Sequence, residues 1–236
     1  MSDRTSAEIR RPSAARVFRR NRLLLAPLTL LLGLTPSRDG QSDLREKAAA
    51  ANEVKLKDCS VYPTQTTSPY VLPYEPGTER LVWRGREHFA RGNGGVGLYA
   101  YDFEMPVGTK LVAVKAGEVV AVREEFKDGN GEDLKENFVM IKHDDGIIAR
   151  YIHLTHDGVL VEKGEQVKQG QVIALSGNTG DTGGGAHLHF DVQQCGPNLP
   201  PDYNRLPCGQ TVPVTFRNTR PHPCGLVSDE RYRAEK

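Results

Sequence analysis

Between residues 98 and 192 the chain repeats one pattern, and that pattern leaves few folds open. Short segments rich in Val, Ile, Tyr and Phe, at 98–103, 110–114, 118–123, 138–143, 147–154, 171–176 and 187–192, are separated by turn residues. β-Branched and aromatic residues suit a pleated, half-buried surface, and Gly, Asn and Asp tolerate the turns between. The expected fold is mainly β, an antiparallel sheet or sandwich core with long loops. The clearest hairpin spans 138–154, with Asp145-Gly146 as its turn. The polar stretch 123–137, which holds Gly129 and Gly131, is expected to be an exposed loop.

The flanks read differently. The chain has 236 residues, which suits one domain with tails, and its body is expected over 77–217. Arg4, Arg10, Arg11, Arg16, Arg19, Arg20 and Arg22 precede the apolar run at 23–34. Basic residues followed by a short apolar run are what the export machinery reads. The run is short for a membrane span, and no clean A-x-A site follows it. Residues 1–35 are therefore expected to be a signal peptide or an N-terminal anchor, with an amphipathic arm as the bland alternative. The membrane would be met only through this segment, if it stays uncleaved. Residues 36–76 are expected as a linker, with an alanine-rich helix over 42–54 and a Pro-, Thr- and Ser-rich entry over 62–76. Residues 218–236 are expected as a C-terminal tail, which Cys224 could pin.

Cys59, Cys195, Cys208 and Cys224 are an even set, which in an exported chain suggests two disulfides with three possible connectivities. No C-x-x-C spacing occurs, so a cysteine zinc knuckle is not indicated. A formal net charge of +1 argues against a nucleic-acid partner, which calls for a concentrated basic surface.

Three places carry chemistry. In His187-Leu188-His189 the two histidines are two residues apart in a β-like segment, so both side chains leave the same face while Leu188 points into the core. Two imidazoles so placed suit a zinc site, although an H-x-H is as often a hydrogen-bonded surface pair. His153 ends the segment Tyr151-Ile152-His153-Leu154 and shares a face with Ile147, Ala149 and Tyr151; it can reach a cleft or merely cap a strand. Asp102 lies in the apolar strand Tyr99-Ala100-Tyr101-Asp102-Phe103, where an unpaired carboxylate is costly and a metal or a strong donor is expected nearby. A structural salt bridge is the alternative.

Taken in order, YAYDFEMPVGTKLVAVKAGEVVAV, ARYIHL, VEKGEQVKQGQVIALSGNTG and HLHFDV resemble the β-sheet core of the lysostaphin/LytM-like zinc endopeptidases, over roughly residues 98–192. The resemblance implies the duplicated hybrid motif fold and one zinc ion, with Asp102 and His189 as metal ligands and His153 and His187 as catalytic histidines. It implies hydrolysis of peptide bonds in peptidoglycan peptides by a bacterial protein that is secreted, periplasmic or in the cell envelope. The family also places a zinc-binding histidine shortly before the aspartate. Residues 91–97 hold none, and His88, fourteen residues before Asp102, is the upstream candidate if a glycine-rich loop folds back to deliver it. It could equally be an ordinary exposed histidine. A degenerate domain that binds wall peptides or activates another hydrolase is the competing expectation.

Other signals fall away. Gly92-Asn93-Gly94-Gly95-Val96-Gly97 is followed by a strand-like segment rather than a helix, and Gly183-Gly184-Gly185 has no Lys-Ser/Thr after it. No G-x-S-x-G occurs. His143, His156 and His222 are expected at turns, at the surface and in the tail.

Overall fold

The computed structural model describes residues 58–86, 88, 97–195 and 209–236. The signal or anchor expected over 1–35, the helix expected over 42–54 and most of the glycine-rich stretch 92–97 lie outside them. Residues 37–236 gather into one unit. Its strands are β1 (Glu79–Arg84), β2 (Tyr101–Glu104), β3 (Lys110–Val112), β4 (Gly117–Arg123), β5 (Phe138–Lys142), β6 (Ile148–Ile152), β7 (Leu154–Val159), β8 (Gln166–Val167), β9 (Val172–Ser176), β10 (His187–Cys195), β11 (Gly209–Thr211) and β12 (Arg231–Arg233).

The larger sheet has the order β12-β1-β2-β10-β6-β5-β4-β8, with β11 also on β10, and a second sheet has the order β3-β9-β7. Each ladder is antiparallel. The mainly β expectation is met. The hairpin of β5 and β6 is the one read from sequence, with Gly146 at φ 80° in its turn. One hydrophobic cluster draws on both sheets, joining Phe103, Tyr151, Leu188 and Phe190 to Leu111, Leu154, Ile173 and Ala174. Each leucine, isoleucine and phenylalanine among them contributes about 1.5–3 kcal/mol by leaving water. Tyr151 keeps its polar end satisfied there, since its hydroxyl accepts the Val114 N–H at 2.8 Å.

The folded domain extends past 77–217 on both sides. Tyr70, Leu72 and Tyr74 alternate at period two and are buried in the main cluster, so the expected linker supplies core. On the far side Leu226, Tyr232 and Ala234 are buried, and β12 pairs with β1, Glu79 opposite Arg233. The two flanks are tied together. The Tyr74 hydroxyl donates to the Tyr232 carbonyl at 2.7 Å, and a disulfide joins Cys59 to Cys224. The expected tail is thus an edge of the sheet, because its apolar residues complete the core. Cys208, and the side chain of Cys195, lie outside what is described.

Candidate metal centre

Strand register assembles the centre. On β10 the period of two sends His187, His189 and Asp191 to one face, while Leu188, Phe190 and Val192 are fully buried on the other. His189 lies opposite Asp102 of β2 on one side and Ile152 of β6 on the other, and Asp191 lies opposite Arg150. Arg84 of β1 lies opposite Asp102 in turn. Four neighbouring strands therefore deliver one row of functional groups.

His88 reaches this row from the turn after β1. The Gly85 N–H donates to Ser228 Oγ at 2.9 Å, and the Arg86 N–H to the Leu226 carbonyl at 2.9 Å. A Cβ on Gly85 would meet the Leu226 oxygen at 2.3 Å, so the turn can only sit this close without one. The His88 N–H then closes back on the Gly85 carbonyl at 2.9 Å. The buried imidazole brings Nε2 to 2.7 Å from Asp102 Oδ2. On the other side of the same carboxylate, His189 Nδ1 is 3.0 Å from Oδ1. The rings of His88 and His189 meet edge-on, with centroids 4.9 Å apart.

These three residues can each offer a ligand atom, and the atoms lie within 4.8 Å of one another. A tetrahedral zinc shell with bonds near 2.1 Å sets its ligand atoms about 3.4 Å apart. Spacings of up to 4.8 Å therefore need to shorten by no more than about 1.4 Å to close on an ion. Two imidazoles and one carboxylate, all buried, also match the chemistry of that metal.

Protonation follows from the packing. Burial alone would raise the Asp102 carboxyl, but hydrogen bonds from His189 and His88 and their charge carry it well below the usual range. Burial opposes a charge on His189, yet Asp102 and Asp191 lift it to about 9. His88 is lowered by burial, against the pull of Asp102.

His153 and His187 face each other beside this group, with ring centroids 4.6 Å apart. His153 Nδ1 is 2.7 Å from the Thr179 carbonyl, and His187 Nδ1 is 2.9 Å from the Gly185 carbonyl. A carbonyl only accepts, so both Nδ1 atoms donate and both Nε2 atoms keep a lone pair when the rings are neutral. His187 Nε2 is 3.6 Å from Asp102 Oδ1. Burial, then neighbouring His187 and His189, lower His153 to about 3. Burial also lowers His187.

His153 departs from the face read from sequence. Ala149 and Tyr151 point into the main core, but His153 lines the cleft together with Ile152 and Arg150. Its φ of 68° breaks the alternation between β6 and β7. A non-glycine residue in the left-handed region is uncommon and costs of order 1–3 kcal/mol, which surrounding contacts must sustain.

A cleft of 930 Å³ overlies these groups, and its walls include Trp83, Arg84, Asp133, Glu136 and Asp181. Two of its features were not read from sequence. Trp83, the chain's single tryptophan, packs 5.6 Å from the His187 ring. Arg150 pairs with Asp191, Nε donating to Oδ1 at 2.8 Å and Nη2 to Oδ2 at 2.5 Å. The signal for the first was a lone tryptophan in a short apolar segment before the motifs. The signal for the second was an arginine in an otherwise apolar strand. His143 and His222 are buried structural groups and His156 is exposed.

Residues 97–201 match the family described as Peptidase family M23. The chain is 37% identical over 112 residues to the peptidoglycan DD-endopeptidase ShyA of Vibrio cholerae, a match covering 48% of this chain and 24% of ShyA. It is 32% identical over 138 residues to the murein hydrolase activator NlpD of Salmonella typhimurium, covering 58% of this chain and 32% of NlpD. A crystal structure of a zinc-containing peptidase from Vibrio cholerae aligns at 32% identity with a TM-score of 0.40, over 53% of this chain and 37% of that one. The chain thus spans about a quarter to a third of the length of these curated relatives. The motif order, the strand register and the family match meet on one stretch, and over residues 97–201 the chain is similar to peptidase family M23.

Proposed function

We propose that this domain is a zinc-dependent endopeptidase that hydrolyses peptide bonds of bacterial peptidoglycan outside the cytoplasm. The observation that carries the reading is the meeting of His88, Asp102 and His189 with ligand atoms within 4.8 Å, next to two further histidines. The ion would be held by His88, Asp102 and His189; bound there, it supplies Lewis-acid polarisation of a scissile carbonyl and makes a nearby water more acidic. His153 and His187 serve as catalytic residues. Their Nδ1–H groups are tied to backbone carbonyls, so each ring is held with its Nε2 lone pair available for a proton. One Nε2 takes the proton of the water that attacks the carbonyl carbon. The resulting imidazolium returns that proton to the leaving amine nitrogen. The Cys59–Cys224 disulfide supports an oxidising compartment, and the basic-then-apolar start of the chain supports export.

The competing reading is a domain that binds the wall and activates another hydrolase, and the likeness to NlpD favours it. A complete three-residue donor set beside two oriented histidines favours the enzyme. The test is zinc content of the purified oxidised chain and of His88→Ala, alongside digestion of purified peptidoglycan with mass spectrometry of released peptides. About one zinc per chain, lost in the variant, with released peptides, is the expected result. Zinc without cleavage would leave the activator reading standing. No zinc in either protein would overturn the enzyme.

A further inference from the structure

His153 takes its φ of 68° where β6 gives way to β7, and the residue after it is closed into a cycle of hydrogen bonds. The Leu154 N–H donates to the Asn137 carbonyl at 3.1 Å. The Asn137 N–H donates to Thr179 Oγ1 at 2.9 Å, and the Thr179 hydroxyl donates to the Leu154 carbonyl at 2.8 Å. Leu154, Asn137 and Thr179 are all fully buried. A hydroxyl has a single proton to give, so the cycle can run in one direction only. The Asn137 side chain widens the grip. Its Nδ2 donates to the Phe126 carbonyl at 2.7 Å and to the Thr155 carbonyl at 3.3 Å, while its Oδ1 accepts the Phe126 N–H at 3.0 Å. The Thr179 carbonyl lies outside the cycle, and it accepts the His153 Nδ1–H at 2.7 Å.

We infer that Thr179, locked by Asn137, is a positioning residue that holds His153 at both ends, its backbone through Leu154 and its ring through the Thr179 carbonyl. The inference rests on the peptidase reading proposed above. It deepens that reading by naming what keeps one of the two proton carriers in place. A left-handed backbone at a non-glycine residue persists only where its surroundings over-determine it. Here a single threonine supplies both restraints, its side chain acting on the following residue and its main chain on the imidazole. A polar knot that merely fastened β5 to β7 would need the cycle, but not the further bond to a side chain that lines the cleft. Because hydroxyl and carbonyl belong to one residue, loss of the first shifts the second, and the His153 ring moves with it.

The test uses the full oxidised, zinc-loaded chain. Thr179→Val keeps the side-chain shape and removes the hydroxyl, which takes a partner from the Asn137 N–H and from the Leu154 carbonyl. Thr179→Ser keeps the hydroxyl. On peptidoglycan-derived peptides kcat should fall about 10–100-fold in Thr179→Val, with KM and zinc content as in the wild type. Thr179→Ser should return kcat to within about threefold of the wild type. A folded Thr179→Val with wild-type kcat, a loss carried by KM or by zinc, or a Thr179→Ser as slow as Thr179→Val each overturns the inference and leaves the peptidase reading intact. A wild type without peptidase activity overturns both. Should Thr179→Val fail to fold, hydrogen exchange of the wild type decides. The His153 Nδ1–H should be protected together with the Asn137 amide, and a freely exchanging His153 proton overturns the clamp.

Discussion

Alanine at Gly177 should separate turnover from metal binding. Gly177 directly follows β9 and bridges His187. A Cβ there would lie 2.2 Å from the Thr155 nitrogen, 2.4 Å from the Leu154 carbonyl carbon and 2.5 Å from the Thr155 Cα. Ordinary contact begins at 3.4 Å, so the two segments must part by about 1.2 Å. All three neighbours are backbone atoms, and no rotamer change can make the space. One side of the seam leads in one residue to His153. The other side is bonded to His187. The parting therefore falls on the spacing of the two histidines assigned to proton transfer. Overpacking of this kind costs about 1–3 kcal/mol in stability. A displacement near 1 Å at a reacting group costs on the order of 100-fold in rate. His88, Asp102 and His189 lie off this seam and should still bind about one zinc. The assay is kcat/KM on peptidoglycan-derived peptides by product chromatography, with zinc content and thermal midpoint measured on the same preparation. A zinc-loaded Gly177→Ala variant with wild-type kcat/KM would refute the reasoning.

Two further outcomes concern stability. The Cys59–Cys224 disulfide closes a loop of sequence separation 165, for which chain entropy gives about 5 kcal/mol. Cys59→Ser/Cys224→Ser should lose stability of that order in denaturant titrations, and a loss under about 1 kcal/mol would show that the flanks hold without it. His222 is buried, its Nε2 accepts the Phe216 N–H at 2.9 Å, and its Nδ1 donates to the Arg220 carbonyl at 2.8 Å. Burial lowers it from 6.5, so below about pH 6.5 the unfolded chain binds a proton that the folded chain refuses. Stability present above that pH should fall as pH drops, and more steeply in the wild type than in His222→Gln; equal slopes would remove His222 from the account.

The parts legible in the sequence were those fixed by local periodicity. His187-Leu188-His189 told its own facing, since Leu188 is apolar between two polar residues and strands alternate. Asp102 stood out because an apolar strand has no cheap place for a carboxylate. What stayed hidden was decided by distant contacts. β1 and β12 read as ERLVWR and RYR, whose charges look like loop in isolation, though only β12 lies at the sheet edge and β1 is paired on both sides. Tyr70, Leu72 and Tyr74 lay among prolines and threonines that masked their alternation. His88 could be named as a candidate, but its delivery depends on Gly85 pressing against Leu226, a contact that no local pattern announces. His153 was assigned the wrong face because a φ of 68° is not written in side-chain alternation.

The pairing of β1 with β12 has a consequence in time. Glu79 finds its partner only when Arg233 exists, and the turn that carries His88 leans on Leu226 and Ser228. Synthesis runs from the N-terminus, so residues 226–233 must leave the ribosome before this seam can close. Contacts of such long range also form slowly. A nascent chain therefore travels without its upstream histidine in place, and the centre is completed only once residues about 140 positions downstream of it have arrived.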